Sequence, residues 1–316
     1  MDLTAKIGSL ILKNPVMTAS GTFGYGNEYA PLMDISRLGA VVTKTLTLEP
    51  RQGNPHPRIW ELPCGMLNSI GLANIGVHNF IDDVLPIVSK IDTEIIANIA
   101  GKSAEDYPEL IKILDAHAGV SGYEINVSCP NVKKGGMVFG ADPEAVARIT
   151  ESCRALTEKP VIVKLTPNVT DPAPIAKAAE NAGADALTVA NTVLGTAVDI
   201  ETRQPRIPFV TAGYSGPGIK PINLAKLYQV RQAVKIPLIG CGGIMNYKDA
   251  LEYIITGASA VQIGSATYKT PQASIGVIEG IGEWMEKRGV GSLGEVVGSL
   301  MISNPRYNST VFQRFQ

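Results

Sequence analysis

Eight short β-rich runs, each followed by an amphipathic stretch, fill nearly the whole chain and leave few folds open to it. The runs are Pro15–Ser20, Ala40–Lys44, Glu94–Ala100, Gly122–Cys129, Pro160–Thr166, Ala186–Asn191, Pro237–Gly242 and Ala260–Ser265. Most are continuously apolar rather than alternating, as in strands covered on both faces of a parallel sheet. Helical patterns lie between them at Val77–Lys90, Ala104–Ala116, Pro143–Leu156, Ala173–Ala182, Ile222–Val234, Tyr247–Thr256 and Gln272–Lys287. Asp142-Pro143 and Asp171-Pro172 supply N-caps with proline in the first turn, and Gly183 and Gly257 stand where left-handed C-terminal caps belong. Eight β–α units in series predict an α/β fold, a closed (β/α)8 TIM barrel. Leu3–Asn14 reads as a β-hairpin cap beneath it, and residues 1–316 as a single domain.

Three connections, Thr45–Gly76, Pro130–Ala141 and Thr192–Lys220, are too long to be simple links. All follow strand carboxyl ends, so as long βα loops they should gather over one mouth of the barrel, the face where such folds bind ligands. The strand ends facing that mouth are rich in polar and glycine positions: Ser20, Lys44 with Thr45, Asn98, Asn126, Lys164, Asn191 with Thr192, Gly242 with Gly243, and Gly264 with Ser265. One such residue is an ordinary rim position. Many converging on one mouth would each need a polar partner, which points to a ligand. Gly242, Gly243, Gly264 and Ser265 end the last two strands, the usual place for a backbone phosphate site, and Gly216 in the loop after strand six could complete it.

In Glu124-Ile-Asn-Val-Ser-Cys-Pro-Asn131 an apolar strand runs to Asn126 and Cys129, and Pro130 then stops it. The thiol of Cys129 is thereby set where a glycine-containing loop begins. A lone cysteine is more often packing than chemistry, but the neighbouring asparagines and the loop favour a functional reading. Cys64, Cys129, Cys153 and Cys241 are scattered, so no zinc or iron–sulfur spacing is read, and Cys153 and Cys241 look like packing residues. The net charge of −1 offers no field for nucleic acid or an anionic membrane. No apolar run approaches the roughly 18 residues that span a bilayer, and no signal peptide is read in Met1–Asn14, so the expected location is cytoplasmic.

Taken together, Ala19-Ser-Gly-Thr-Phe-Gly24, Thr43-Lys-Thr45, Asn68-Ser-Ile-Gly-Leu72, Asn126-Val-Ser-Cys-Pro-Asn131, Val163-Lys-Leu-Thr-Pro-Asn168, Ala190-Asn-Thr192, Ser215-Gly-Pro217 and Gly242-Gly243 resemble the dihydroorotate dehydrogenases of class 1, in particular the 1B branch. The resemblance runs roughly from Leu3 to Lys287. It implies an FMN-containing flavoprotein of pyrimidine biosynthesis that oxidises (S)-dihydroorotate to orotate. By the same resemblance Cys129 is the base, and Lys44, Asn68, Ser69, Ile70, Gly71, Leu72, Asn126, Asn191 and Thr192 hold the substrate. Ser20, Lys44, Thr45, Asn98, Asn126, Lys164 and Ala190 would contact the FMN ring and ribityl chain. Gly216, Gly242, Gly243, Gly264 and Ser265 would hold its phosphate.

The 1B likeness implies a homodimer of this chain that passes electrons to NAD through a partner subunit with FAD and a [2Fe–2S] cluster, two of each in a heterotetramer. No dinucleotide fingerprint or cysteine cluster is read here, which agrees with a separate electron-transfer subunit. The alternatives are a fumarate-linked class 1A enzyme, another FMN barrel reductase, a flavin-free phosphate-binding isomerase or aldolase using Lys164 as a nucleophile, and a barrel that only scaffolds a partner. The tail Met301–Gln316 departs from the family pattern.

Overall fold

The side-chain parity of each strand separates an inner from an outer face. In Glu94–Ile99, Ile95, Ala97 and Ile99 pack in the layer between strands and helices, while Ile96 packs inside the ring of strands. The same division holds in Val161–Lys164, where Val161 and Val163 face outward and Ile162 inward. Both faces are dry over the lower half of the barrel, so these strands read as unbroken apolar runs.

The computed structural model describes residues 1–128, 130–131 and 137–302. β1 (Ala5–Ile7) and β2 (Leu10–Leu12) form an antiparallel hairpin. β3 (Val16–Thr18) and β4 (Ala40–Val42) begin the barrel, and β5 (Ile59–Leu62) and β6 (Gly65–Asn68) form a hairpin in the excursion after β4. β7 (Glu94–Ile99) and β8 (Gly122–Asn126) return to the barrel, followed by the short antiparallel pair β9 (Pro130–Asn131) and β10 (Met137–Val138). β11 (Val161–Lys164) and β12 (Ala186–Val189) continue it, and β13 (Val193–Gly195) and β14 (Ala212–Ser215) lie in the next excursion. β15 (Leu238–Cys241) and β16 (Ala258–Ile263) complete the ring, with β16 pairing in parallel with β3.

All eight barrel strands fall within or beside the runs expected, and all pair in parallel. The hairpin plugs the amino end of the barrel: Ala5, Ile7 and Leu12 pack against the inward-facing Met17, Val42, Ile96, Ile162 and Ile239. Asp142 accepts from the backbone N–H groups of Glu144 and Ala145, capping the helix Pro143–Arg154 as expected.

Three expectations are corrected. The excursions Thr45–Gly76 and Thr192–Lys220 are not plain loops but supply a four-stranded antiparallel sheet ordered β13-β14-β6-β5. Its small core is Leu67, Ile207 and Ala212. The helix expected over Val77–Lys90 ends at Val88 and is interrupted by a π-turn over Phe80–Val84. Pro86, which has no N–H to donate to the preceding turn, follows immediately. Finally, Gly289-Val-Gly-Ser-Leu-Gly294 does spell G-x-G-x-x-G. It follows the helix Ala273–Glu286, however, and leads only into the three-residue 3-10 turn Leu293–Glu295. A dinucleotide site needs that spelling between a strand and a full helix, so this is not one.

Candidate active site

At the carboxyl ends of the barrel strands a cavity of about 640 Å³ opens beneath the four-stranded sheet. It is reached from below by the barrel and from above by β6, β13 and β14. Three groups of residues line it.

The first group comes from the barrel rim. Ser20 and Thr45 are buried beside Lys44, whose N–H donates to the Gly24 carbonyl at 2.7 Å. Burial lowers the affinity of the Lys44 ammonium for its proton, and the nearby Arg58 guanidinium lowers it further, against a weaker opposing pull from Glu28. Among the described residues Lys44 makes no ion pair. Lys164 also lines the cavity, although it is almost wholly buried.

The second group is the amide cluster. Asn191 donates from Nδ2 to Ser128 Oγ at 3.1 Å and to Asn126 Oδ1 at 3.4 Å, and its own Oδ1 accepts from the Thr192 N–H at 2.8 Å. Opposite it runs the turn Asn68–Leu72, where Asn68 donates to the Gly213 carbonyl at 3.2 Å and Ser69 accepts from Asn54 at 2.8 Å. Gly71 and Leu72 both adopt left-handed backbone, at φ 71° and 56°. For leucine this conformation costs about 1–3 kcal/mol, a strain typical of ligand clamps. Ile70, just before them, also lines the cavity.

The third group is glycine. Gly216, Gly242 and Gly243 line one end of the cavity with φ of 105°, 123° and 70°. Gly264 and Ser265 lie at the same end, where the short helix Ala266–Lys269 begins. Asn223 pins this region to the second group by donating to the carbonyls of Cys241 at 2.8 Å, Asn191 at 3.2 Å and Ala190 at 3.3 Å. Lys220, the nearest cation in sequence, is spent on Asp249 at 2.7 Å and Glu252 at 2.8 Å. An anion here would therefore be held by backbone N–H groups.

Nearly every residue singled out from the sequence thus faces one cavity. Asn98 does not: it is fully buried beneath it, its Nδ2 bonded to Glu124 at 2.7 Å and its Oδ1 left without a partner. Cys129 lies outside the described residues, as does most of the loop that follows it; Ser128 and Asn126 mark the approach. The closing tail 303–316 also lies outside them.

The residues that sequence reading missed sit in the inward-facing layer under the cavity. Glu124 is fully buried and accepts from Asn98, Lys164, Thr188 and Gln262. Gln262 in turn accepts from Lys164 at 2.7 Å. Burial, the largest influence, pulls the Lys164 ammonium down, but the charge and hydrogen bond of Glu124, with Cys241 beside it, together raise it above the ordinary lysine value, so the lysine stays protonated. Glu124 and Gln262 are polar residues at inward positions of largely apolar strands, a signal that parity alone could have raised.

A model of the family "Dihydroorotate dehydrogenase" matches residues 2–285. The chain is 53% identical over 302 residues to the "Dihydroorotate dehydrogenase B (NAD(+)), catalytic subunit" of Thermoanaerobacter sp. (strain X514), covering 96% of this chain and 100% of that one. It is 53% identical to the protein so named from Caldicellulosiruptor bescii over the same shares. With the one from Trichlorobacter lovleyi the identity is 51%, over 94% of this chain and 98% of the other. On a barrel whose strand ends converge on one cavity, near-full-length likeness of this degree places the chain in the dihydroorotate dehydrogenase family.

Proposed function

We propose that this chain oxidises (S)-dihydroorotate to orotate in pyrimidine biosynthesis, with FMN seated in the cavity, and that its electrons reach NAD through a separate subunit carrying FAD and a [2Fe–2S] cluster. The observation that carries the reading is the convergence of three chemically distinct groups on one cavity: a lysine-bearing rim, an amide cluster and a glycine end. A flavin nucleotide needs each of them, since its ring wants flat apolar and hydrogen-bonding walls, its chain hydroxyls, and its phosphate a backbone cradle.

The residues fit that group. A Cβ on Gly264 would meet nothing closer than Ala19 at 3.5 Å, so the space beside this glycine belongs to the cavity. Ser20, Thr45, Lys164 and Ala190 would hold the ring and chain, and Gly216, Gly242, Gly243, Gly264 and Ser265 the phosphate. Asn98 would act from the buried layer below, through Glu124. When bound, FMN supplies the acceptor for the hydride that leaves C6 of the substrate.

The remaining work falls to the chain. Lys44 supplies a positive charge for the substrate carboxylate, and Asn68, Asn126, Asn191 and Thr192 supply donors and acceptors that fix the ring amides. Orientation of this kind is a large part of rate enhancement. Ile70, Gly71 and Leu72 form the wall of the turn that presses on the substrate. Cys129, next to Ser128 and Pro130, takes the C5 proton. An unperturbed thiol, with a pKa of about 8.5, would be roughly a tenth thiolate near pH 7.5.

The aldolase alternative is disfavoured by the same geometry. An amine nucleophile must be neutral, whereas Lys164 is held protonated between Glu124 and Gln262. The test is direct: the purified protein should absorb near about 450 nm as a flavoprotein and bleach anaerobically on adding dihydroorotate. A colourless protein, or a flavin that dihydroorotate leaves oxidised, refutes the reading.

A further inference from the structure

We propose that Glu124 is a positioning residue for the cofactor site: from inside the barrel it holds the Lys164 ammonium at the cavity floor as one half of a fixed ion pair. This rests on the reading of the cavity as an FMN site. The carboxylate is 0% exposed and accepts from four strands at once. Oε1 takes Asn98 Nδ2 at 2.7 Å and Lys164 Nζ at 3.3 Å; Oε2 takes Thr188 Oγ1 at 2.7 Å and Gln262 Nε2. Gln262 closes the ring, since its Oε1 accepts from Lys164 Nζ at 2.7 Å. Asn98 and Thr188 meet no other partner in this ring than Glu124 and Gln262.

Of this set Lys164 alone lines the cavity. An ammonium has three N–H donors; two are taken by Glu124 and Gln262, and the third remains for a ligand. The carboxylate therefore does two things. It fixes the direction of that third N–H, and it opposes the pull of burial on the ammonium's proton. The titratable groups facing Lys164 are Glu124 and the Cys241 thiol, both buried; the other neighbours, Asn98, Thr188 and Gln262, are neutral.

Two experiments test the pair, and neither reads turnover. In the first, FMN is titrated into apo-protein from pH 6.5 to 9.5 for wild type, E124Q, and E124Q combined with C241A. Wild-type affinity should follow only the flavin's own titrations and that of Lys44, which lines the same cavity and is common to all the variants. In E124Q an additional break should appear, above which the dissociation constant rises about tenfold per pH unit, as expected when binding requires a protonated lysine. The break should persist without Cys241. An E124Q profile parallel to wild type overturns the proposal.

The second experiment needs no cofactor and covers poor folding of any one variant. Thermal midpoints of apo-protein are compared for E124Q, Lys164→Met and the double variant. The double variant should lose less than the two single losses added together, because Lys164→Met alone strands a buried carboxylate. Additive losses overturn the pairing. Should wild type bind no FMN, the cofactor reading fails while this cycle still decides the pair.

Discussion

Two glycines at the same end of the cavity should fail for opposite reasons. At Gly243 the backbone is left-handed, and an added Cβ would stand 2.7 Å from the Lys220 nitrogen and 2.9 Å from the Gly216 carbonyl oxygen. Both neighbours are backbone and cannot swing aside. Left-handed strain costs about 1–2 kcal/mol and forced overpacking about 1–3 kcal/mol, so Gly243→Ala should lose roughly 2–5 kcal/mol of apo-protein stability. At a specific unfolding entropy of about 2 cal/mol/K per residue, a chain of this size shifts about 1.5 °C per kcal/mol, hence about 3–8 °C. At Gly264 the Cβ meets only ordinary contacts, so Gly264→Ala should leave the apo midpoint within about 1 °C, a surface-scale effect. Its methyl instead occupies cavity space, and FMN affinity should fall at least about tenfold, the equivalent of about 1.4 kcal/mol. Scanning calorimetry of apo-protein and fluorescence titration with FMN separate the two outcomes. Unchanged FMN affinity in Gly264→Ala would refute the claim that this space belongs to the cofactor.

Cys129→Ala should retain FMN and orotate while stopped-flow flavin reduction by dihydroorotate slows about a hundredfold or more, the scale for losing a general base; near-normal reduction would put the base elsewhere. Orotate affinity should weaken as pH rises through the Lys44 value, because loss of the proton removes the positive charge. Burial and Arg58 put that loss below the ordinary lysine range of about 10.4, and a pH titration of orotate binding with Lys44→Met as the flat control checks it. Leu67→Ala, which empties the centre of the small core under the four-stranded sheet, should cost about 2–4 kcal/mol locally. Hydrogen exchange should rise in β6 and β14 while the barrel strands stay protected. Expressed alone, the chain should reduce its flavin with dihydroorotate yet turn over slowly with NAD. Rapid unaided NAD reduction would overturn the case for a partner subunit, and rapid turnover with fumarate would favour the class 1A reading.

Much of the barrel was legible because its determinants are local. Each strand such as Val161–Lys164 is a short apolar run, and each helix such as Pro143–Arg154 carries its own cap in Asp142. Eight such units leave one economical closure, and the strand ends then name most of the residues that face the cavity. The four-stranded sheet was not legible. Ile59–Leu62 alternates exposed and half-buried positions, and β6 pairs with β14 some 150 residues away, as in Leu67 opposite Tyr214. Nothing local announces a pairing whose driving force is a core of three residues assembled from both excursions.

The sequence by itself determined the barrel, its open face and the residue types that gather there, because apolar periodicity and strand-end chemistry are properties of neighbouring residues. Only the tertiary structure decided what those residues are bonded to. Lys164 reads from the sequence as a strand-end cation facing the mouth of the barrel, and in the fold it is also half of a pair with Glu124, forty positions earlier and one strand over. Asn98 reads as a rim residue and is spent below the cavity. A charge placed inside a closed ring of strands must be matched by another inward-facing group of that ring, and which partner matches it depends on strand register, which no local pattern records.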